Sequence, residues 1–327
     1  MYPKVLFWSH CIFCIFTNVF PESIHNQDCD CQVDGEFSKN CQHCGSIVVY
    51  ADDSTFTVTD NDPNVLSNKL SSKFNLMAEY LTTNMLKVNS DQTQRHRKQQ
   101  TEVIIRAENN VIRSTESERL LGAYINSNLK WNDHIRDNGN SMLYSLNHRH
   151  GALKQIAKAA AFKTRLTIAN GIFMSKLTFM ISLWAGSADF LIKSLQVCQN
   201  SVARTVTRHG RSVSVKQILK ECGWRSVKQE IFYHTALMIH KILLQKSPSY
   251  LYDQLTADGT YGYVTRRACS SSIRQSKSFT TNLSLCKNSF RWRGVSCYEQ
   301  LPSSLRAIES INHFKKELDC WLERMFL

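Results

Sequence analysis

The chain has 327 residues, 43% hydrophobic and 20% charged, enough to bury a core in two or three units. Forty Lys and Arg against 27 Asp and Glu leave a net charge of +13, which favours a polyanionic partner, with nucleic acid fitting better than membrane. Twelve cysteines without a secretory context point to free thiols in a reducing compartment, nucleus or cytoplasm, and exclude a secreted disulfide framework.

In chain order, Val5 to Trp8 and Cys11 to Phe16 form an apolar stretch that imitates a signal-peptide core. Ser9-His10 interrupts it, no small-residue cleavage site follows, and it is too short and broken to span a membrane. Next come Cys29-x-Cys31 and Cys41-x2-Cys44, with His43 inside the second pair. Four such thiols are a tetrahedral zinc donor set, but Cys-x-Cys is tighter than structural zinc sites ordinarily use, so the balance is against zinc.

Ser46 to Ala51 is apolar and β-branched, and Ser54 to Thr59 alternates hydroxyl and apolar side chains with period two. The two runs predict a β-hairpin near 46–59 with Asp52-Asp53 at its turn. Adjacent carboxylates there are hard oxygen ligands of the kind magnesium takes. A pair of such ions roughly 3.5–4 Å apart can hold the attacking and leaving oxygens of a phosphoryl transfer. The alternative is a plain Asp-rich turn, since Asp favours turns by bonding its own backbone.

Asn64 to Thr83 predicts an amphipathic helix, with Leu66, Leu70, Phe74, Met77 and Leu81 three or four apart. Asn84 stops it; Leu86 to Asn89 reads as a short strand and Ser90 to Thr93 as a turn. Leu120 to Ile125 reads as a strand, and Asn128 to Ile135 as a turn entering a new helix. From Ser141 the chain turns helical: Leu143, Leu146, Leu153, Ile156, Ala160, Leu166, Ile172, Phe173, Leu177 and Met180 recur at helical intervals, and Ala157 to Ala161 is helix-forming sequence. Ile192 to Val206 and Val213 to Leu244 continue in this style, broken at Gly210 and Cys222-Gly223. Beyond Tyr250 a Ser/Thr/Arg-rich stretch reads as loops through Lys287, and Ile311 to Met325 closes the chain as an amphipathic helix with Phe314, Leu318 and Leu322 on one side.

Basic groups recur along the chain, at Arg95, Arg97 and Lys98, at Lys154, Lys158, Lys163 and Arg165, at Arg204 to Arg211, and at Arg291 to Arg293 beside Trp292. Each is a candidate nucleic-acid contact or simply a solvated face; phosphate contacts of this kind are salt-dependent and poorly sequence-specific.

Six ordered segments carry a resemblance. Ile15-Phe16-Thr17-Asn18-Val19-Phe20-Pro21-Glu22, Tyr50-Ala51-Asp52-Asp53-Ser54, Leu86 to Thr93, Leu121-Gly122 with Leu129-Lys130-Trp131 and His134-Ile135, Leu183-Trp184-Ala185-Gly186 with Leu195-Gln196, and Arg291 to Gly294 with Leu301-Pro302 and Phe314-Lys315-Lys316 follow one another in the right order. Together they resemble the C-terminal half of the reverse transcriptase of jockey-like, LINE-type non-LTR retrotransposons. The resemblance implies an α+β fold: a partial polymerase palm over 1–140, a helical thumb and following helical region over 141–250, and a basic Ser/Thr-rich region over 251–327 ending in a helix. It implies an RNA-directed DNA polymerase, a nucleotidyltransferase with Asp52 and Asp53 as ligands of Mg2+ or Mn2+, and Tyr50 near the primer end. The implied partners are an RNA template, a DNA primer and dNTP substrates, inside the cell and without a membrane. On this reading the apolar N-terminal stretch is a palm helix.

Three departures bear on activity. The family's further palm aspartate, in an "AFDxV" setting, has no counterpart before Asp52; Asp28, Asp30 and Asp34 sit among Asn, Gln, Gly and Cys without strand-like surroundings. The fingers and the glycine-bearing turn of the family are missing as well. The lysine of the family's "DKT" turn is Gln92 here, and a glutamine carries no transferable proton, which leaves Lys87 as the substitute. The expectation is a polymerase fragment that is inactive alone, or a non-catalytic basic nucleic-acid-binding remnant.

Overall fold

A computed structural model describes residues 32–33, 36–37, 40–41, 45–50, 53–58, 62–83, 105–107, 110–112, 116–126, 128–256 and 288–325. Most of these are helical, with small antiparallel sheets, as an α+β chain requires. They fall into two units, Met1–Asn128 and Leu129–Leu327.

The first unit holds the strands. β1 (Gln32–Val33) pairs with β2 (Glu36–Phe37), and β3 (Asn40–Cys41), β4 (Gly45–Tyr50) and β5 (Asp53–Thr57) form a three-stranded antiparallel sheet in that order. The β-branched run Ile47-Val48-Val49 occupies the middle of β4, facing Phe56, Thr55 and Ser54 of β5. Helix α1 (Pro63–Thr83) follows. Asp62 starts it: its Oδ1 accepts from the Asn64 N–H at 2.8 Å, and Pro63 occupies the first turn, where a missing N–H costs nothing. Phe74 and Met77 are buried and Leu66 and Leu70 half-buried, which is the stripe the spacing predicts. β6 (Ile105–Ala107) pairs with β7 (Asn110–Ile112). The expected strand at 86–89 and turn at 90–93 lie outside the described residues, as do the apolar stretch at 5–16 and the Ser/Thr/Arg-rich stretch at 257–287.

Leu120 to Ile125 is not one strand. It is split into β8 (Ser117–Leu120) and β9 (Ala123–Asn126), paired antiparallel around Leu121-Gly122. Both turn residues have positive φ, 49° and 87°, the combination a two-residue hairpin loop of primed type needs. Glycine adopts it freely; leucine there is strained by about 1–2 kcal/mol. Leu121 is 40% exposed, so its side chain contributes little burial in return. Leu121→Asn is therefore expected to stabilise the chain by about 1 kcal/mol, read as a raised midpoint in urea unfolding.

The second unit is helical. A π-helical turn (Asp133–Asp137) buries His134 and Ile135 where a regular α-helix was expected. Ser141 caps α2 (Met142–Ala157), accepting from the Tyr144 N–H. α3 (Phe162–Ala169) runs through a π-helical turn (Asn170–Met174) into α4 (Ser175–Thr178) as one rod. Carbonyls displaced from regular pairing by the π turn find partners elsewhere: Arg149 Nη1 donates to Ile172 O at 2.7 Å. After α5 (Ile181–Trp184) comes α6 (Asp189–Thr207), which lies parallel to α2. Cys198 meets Asn147, Thr205 meets His150 and Arg208 meets Ala157, so residue numbers rise together along both helices.

Gly223, at φ +66°, ends α7 (Val215–Cys222), and a capping box of Ser226 and Gln229 starts α8 (Val227–Gln245). α9 (Ser249–Thr256) extends the helical region past Tyr250, beyond the predicted limit. α10 (Phe290–Glu299), α11 (Ser303–Arg306) and α12 (Ile311–Met325) complete the unit.

Two cores meet along α8. The first gathers Leu146, Leu153, Phe173, Leu177, Trp184, Leu191, Leu195 and Val202 with Val227 and Ile231. The second begins one turn later and gathers Ala236, Ile239 and Ile242 with Val295, Tyr298, Leu301, Phe314, Leu318 and Leu322. The described C-terminal helices thus share their core with α8 rather than forming a core of their own. Ile156, placed on the inner stripe by its spacing, is 44% exposed; Leu153 and Ala157 take the inward positions. No helix among the described residues is long and apolar enough to cross a membrane.

Candidate metal-carboxylate hairpin and basic surface

Strands β4 and β5 pair in register from Ser46↔Thr57 to Tyr50↔Asp53. The closing pair leaves Ala51 and Asp52 as the connection, the shortest loop that joins antiparallel strands well. Asp53 accordingly is the first residue of β5 rather than part of the turn, while Asp52 lies outside the described residues. Asp53 ends a ladder of five backbone pairs, Asp52 is its neighbour in sequence, and carboxylates are of the hard-oxygen type that Mg2+ and Mn2+ accept. Tyr50 closes the ladder opposite Asp53.

Of the thiols weighed for zinc, Cys41 lies in β3 opposite Gly45, and Cys29, Cys31 and Cys44 lie outside the described residues. Among the described residues no group of three or more His, Cys, Asp or Glu is placed to hold a metal ion. Lys87, Arg95, Arg97 and Lys98 also lie outside the described residues.

The helical unit divides the remaining basic candidates. Lys154, Lys158 and Lys163 are exposed, as phosphate contacts must be. Arg165 is not: it is 5% exposed, its Nε donates to Val206 O at 2.7 Å and its Nη1 to Ala160 O at 2.6 Å. A buried guanidinium committed to two carbonyls is a helix cap, so Arg165 leaves the phosphate-contacting set. A further signal is legible in the sequence once acids are counted with bases. Residues 138–220 contain twelve Lys and Arg and a single carboxylate, Asp189. Most of the chain's net positive charge therefore belongs to the segment from α2 to α7. Runs of cations taken one at a time do not reveal it, because the signal lies in the absence of anions.

Several residues of the segments that carry the family resemblance in this unit are interior, while Leu129, Lys130, Leu183, Pro302 and Lys316 are exposed. Trp184 is fully buried and donates Nε1–H to Phe179 O at 3.0 Å. Gly186 lies so close to the Asn288 backbone that any Cβ there meets the Asn288 carbonyl oxygen. Leu195 is fully buried, and Gln196 Oε1 accepts from the Val227 N–H at 2.8 Å, tying α6 to the start of α8. A Cβ on Gly294 would sit 2.7 Å from Ile239 Cδ1, so glycine lets α10 approach α8. Phe314 is fully buried and stacks on His240 with ring centroids 3.7 Å apart and planes 5° apart. His134 packs edge-on against Trp131 at 6.0 Å, and burial, with the nearby Lys176 charge, holds its pKa down to about 4. These buried motif residues build the fold.

No family model, curated protein or solved structure matches this chain, and the family resemblance rests on its residues alone.

Proposed function

We propose that this chain is a segment of an RNA-directed DNA polymerase of the non-LTR retrotransposon type, in which Asp52 and Asp53 supply magnesium-binding carboxylates. What supports the reading is the five-pair antiparallel register of β4 and β5, with only Ala51-Asp52 between the closing pair Tyr50 and Asp53. A ladder of that length fixes the backbone at Asp53, which is the anchoring that a carboxylate ligand of an ion spanning attacking and leaving oxygens requires. RNA template, DNA primer and dNTPs are the corresponding partners. This chain alone is expected to be inactive, because the family's palm aspartate in its "AFDxV" setting has no counterpart before Asp52 in the sequence and Gln92 stands where a proton-donating lysine belongs.

A second reading, a non-catalytic nucleic-acid-binding protein, is favoured by one observation, the twelve cations against one carboxylate over 138–220. One experiment addresses both. Manganese titration of the chain, followed by electron paramagnetic resonance, is expected to show a weak site that disappears in Asp52→Asn and in Asp53→Asn, with no dNTP incorporation on a primed RNA template. Manganese binding that ignores both substitutions would sink the hairpin as a metal site; incorporation would refute the claim of inactivity.

A further inference from the structure

Four arginines of the helical unit donate to backbone carbonyls: Arg149 to Ile172, Arg165 to Ala160 and Val206, Arg204 to Gly210 and Val213, and Arg208 to Ala157 and Lys158; Arg165 is buried, Arg149 and Arg204 are half-buried and Arg208 is exposed. A guanidinium suits this work, since its planar fork of donors satisfies several carbonyls at once. Two of them, Arg165 and Arg208, act at one place. α2 and α6 run parallel and end together there, α3 begins there, and the two side chains hold the exposed carbonyls of both helix ends.

The lysines at that end face outward. Lys154 and Lys158 lie four apart on the last turns of α2 and its cap, Lys163 lies on the first turn of α3, and all three are exposed. Arg211, exposed, follows α6 in the loop to α7. Among the described residues no ion pair engages any of the four, and the sequence offers no carboxylate between Asp137 and Asp189. Glu221, the acid that follows this segment, is paired with His209 at 2.8 Å.

We propose that this end of the bundle, where α2 and α6 stop and α3 starts, docks the phosphate backbone of nucleic acid through Lys154, Lys158, Lys163 and Arg211, on a platform that Arg165 and Arg208 hold in shape. The inference rests on the nucleic-acid-binding reading and adds the surface that does the binding. Its chemistry is charge complementarity alone. Three of its four contacts are ammonium groups, point charges without the fixed fork that reads base edges or clamps one phosphate from two sides, so the surface selects polyphosphate and not sequence.

The test uses the full chain and a labelled RNA–DNA duplex, with binding measured by anisotropy across a salt series. The triple variant K154Q/K158Q/K163Q is compared with K246Q/K315Q/K316Q, which removes the same charge from the other core. The first triple is expected to lower the slope of log K against log salt by roughly 2–3, to weaken low-salt binding by about tenfold or more, and to do so equally for duplexes of different sequence. The control triple leaves both quantities near wild type, and thermal melting of both variants stays near wild type because five of the six replaced lysines are exposed and Lys315 is half-exposed. Equal losses in the two triples overturn the proposed surface while leaving nucleic-acid binding intact. A wild-type chain that binds no duplex, or that binds anionic vesicles instead, overturns the reading and the surface together.

Discussion

Arg225→Met is expected to destabilise the helical unit by roughly 3–5 kcal/mol, the cost of stripping the partner from a buried carboxylate. Arg225 stands between the two cores. Its Nη1 donates to both oxygens of Glu230 at 3.3 and 3.2 Å, its Nε to Asp319 Oδ1 at 2.9 Å on α12, and its Nη2 bonds the same oxygen. Its guanidinium lies 3.7 Å from the Tyr233 ring centroid, and its carbonyl accepts from Gln199 Nε2 at 2.9 Å on α6. Burial works against the charge, yet Glu230 and Asp319 outweigh it and hold the guanidinium pKa above its ordinary value. Glu230 is only 5% exposed and, left with His234 Nε2 at 3.4 Å as its remaining partner, does not recover solvation when Arg225 is lost; Asp319, more exposed, does. Urea unfolding of Arg225→Met beside Arg225→Met/Glu230→Gln separates the two contributions. The second variant should recover a large part of the loss, since the stranded charge is gone. A double variant as unstable as the single one would show that packing, and not the unpaired carboxylate, dominates.

Acid should unfold this unit through its histidines. His134, His150 and His240 are all buried, and burial is the first cause holding each pKa below the ordinary 6.5, with Lys176 adding to it at His134 and Lys154 at His150. A histidine whose pKa is lower in the folded than in the unfolded chain stabilises the fold fully above the unfolded value. As pH falls below about 6.5 the unfolded chain takes up protons first, and the stabilisation declines until the folded pKa is passed. For His134, the interval from 6.5 to about 4 corresponds to roughly 3 kcal/mol. Unfolding free energies measured in urea from neutral pH down to pH 4 should therefore fall steeply. In His134→Phe, which keeps an aromatic edge against Trp131 and cannot titrate, the fall should be shallower by about that amount. An unchanged slope would place the acid sensitivity at His150, at His240 or among the carboxylates.

His240 shows how a polar residue can be built into an apolar core. Its Nδ1 lies 2.8 Å from the Tyr298 hydroxyl, and its ring stacks on Phe314, so α8, α10 and α12 converge on one side chain. The hydroxyl of Tyr298 is buried with it, and burial pushes its pKa up to about 12. Three elements far apart in sequence are needed to seat this pair, and nothing local to His240 announces it.

Sequence by itself determined the helices, their starts and the hairpin. Ser141, Asp62-Pro63, Gly223, the β-branched run at 46–51 and the alternation at 54–59 are local signals, carried by side chains that bond their own neighbouring backbone or suit the geometry of the element. It also held the carboxylate pair and the excess of cations, because composition and adjacency need no fold. Tertiary structure decided what local signals leave open. Ala157 to Ala161 has high helix propensity, yet the helix stops there, since Arg208 and Arg165, supplied from α6 and α3, take the carbonyls of Ala157, Lys158 and Ala160. The same bonds turned Arg165 from a candidate phosphate contact into a cap and left Lys154, Lys158 and Lys163 outward. Periodicity weighs a residue by its own type and phase, whereas the fate of a cation depends on which unpaired carbonyls a distant helix end brings within reach.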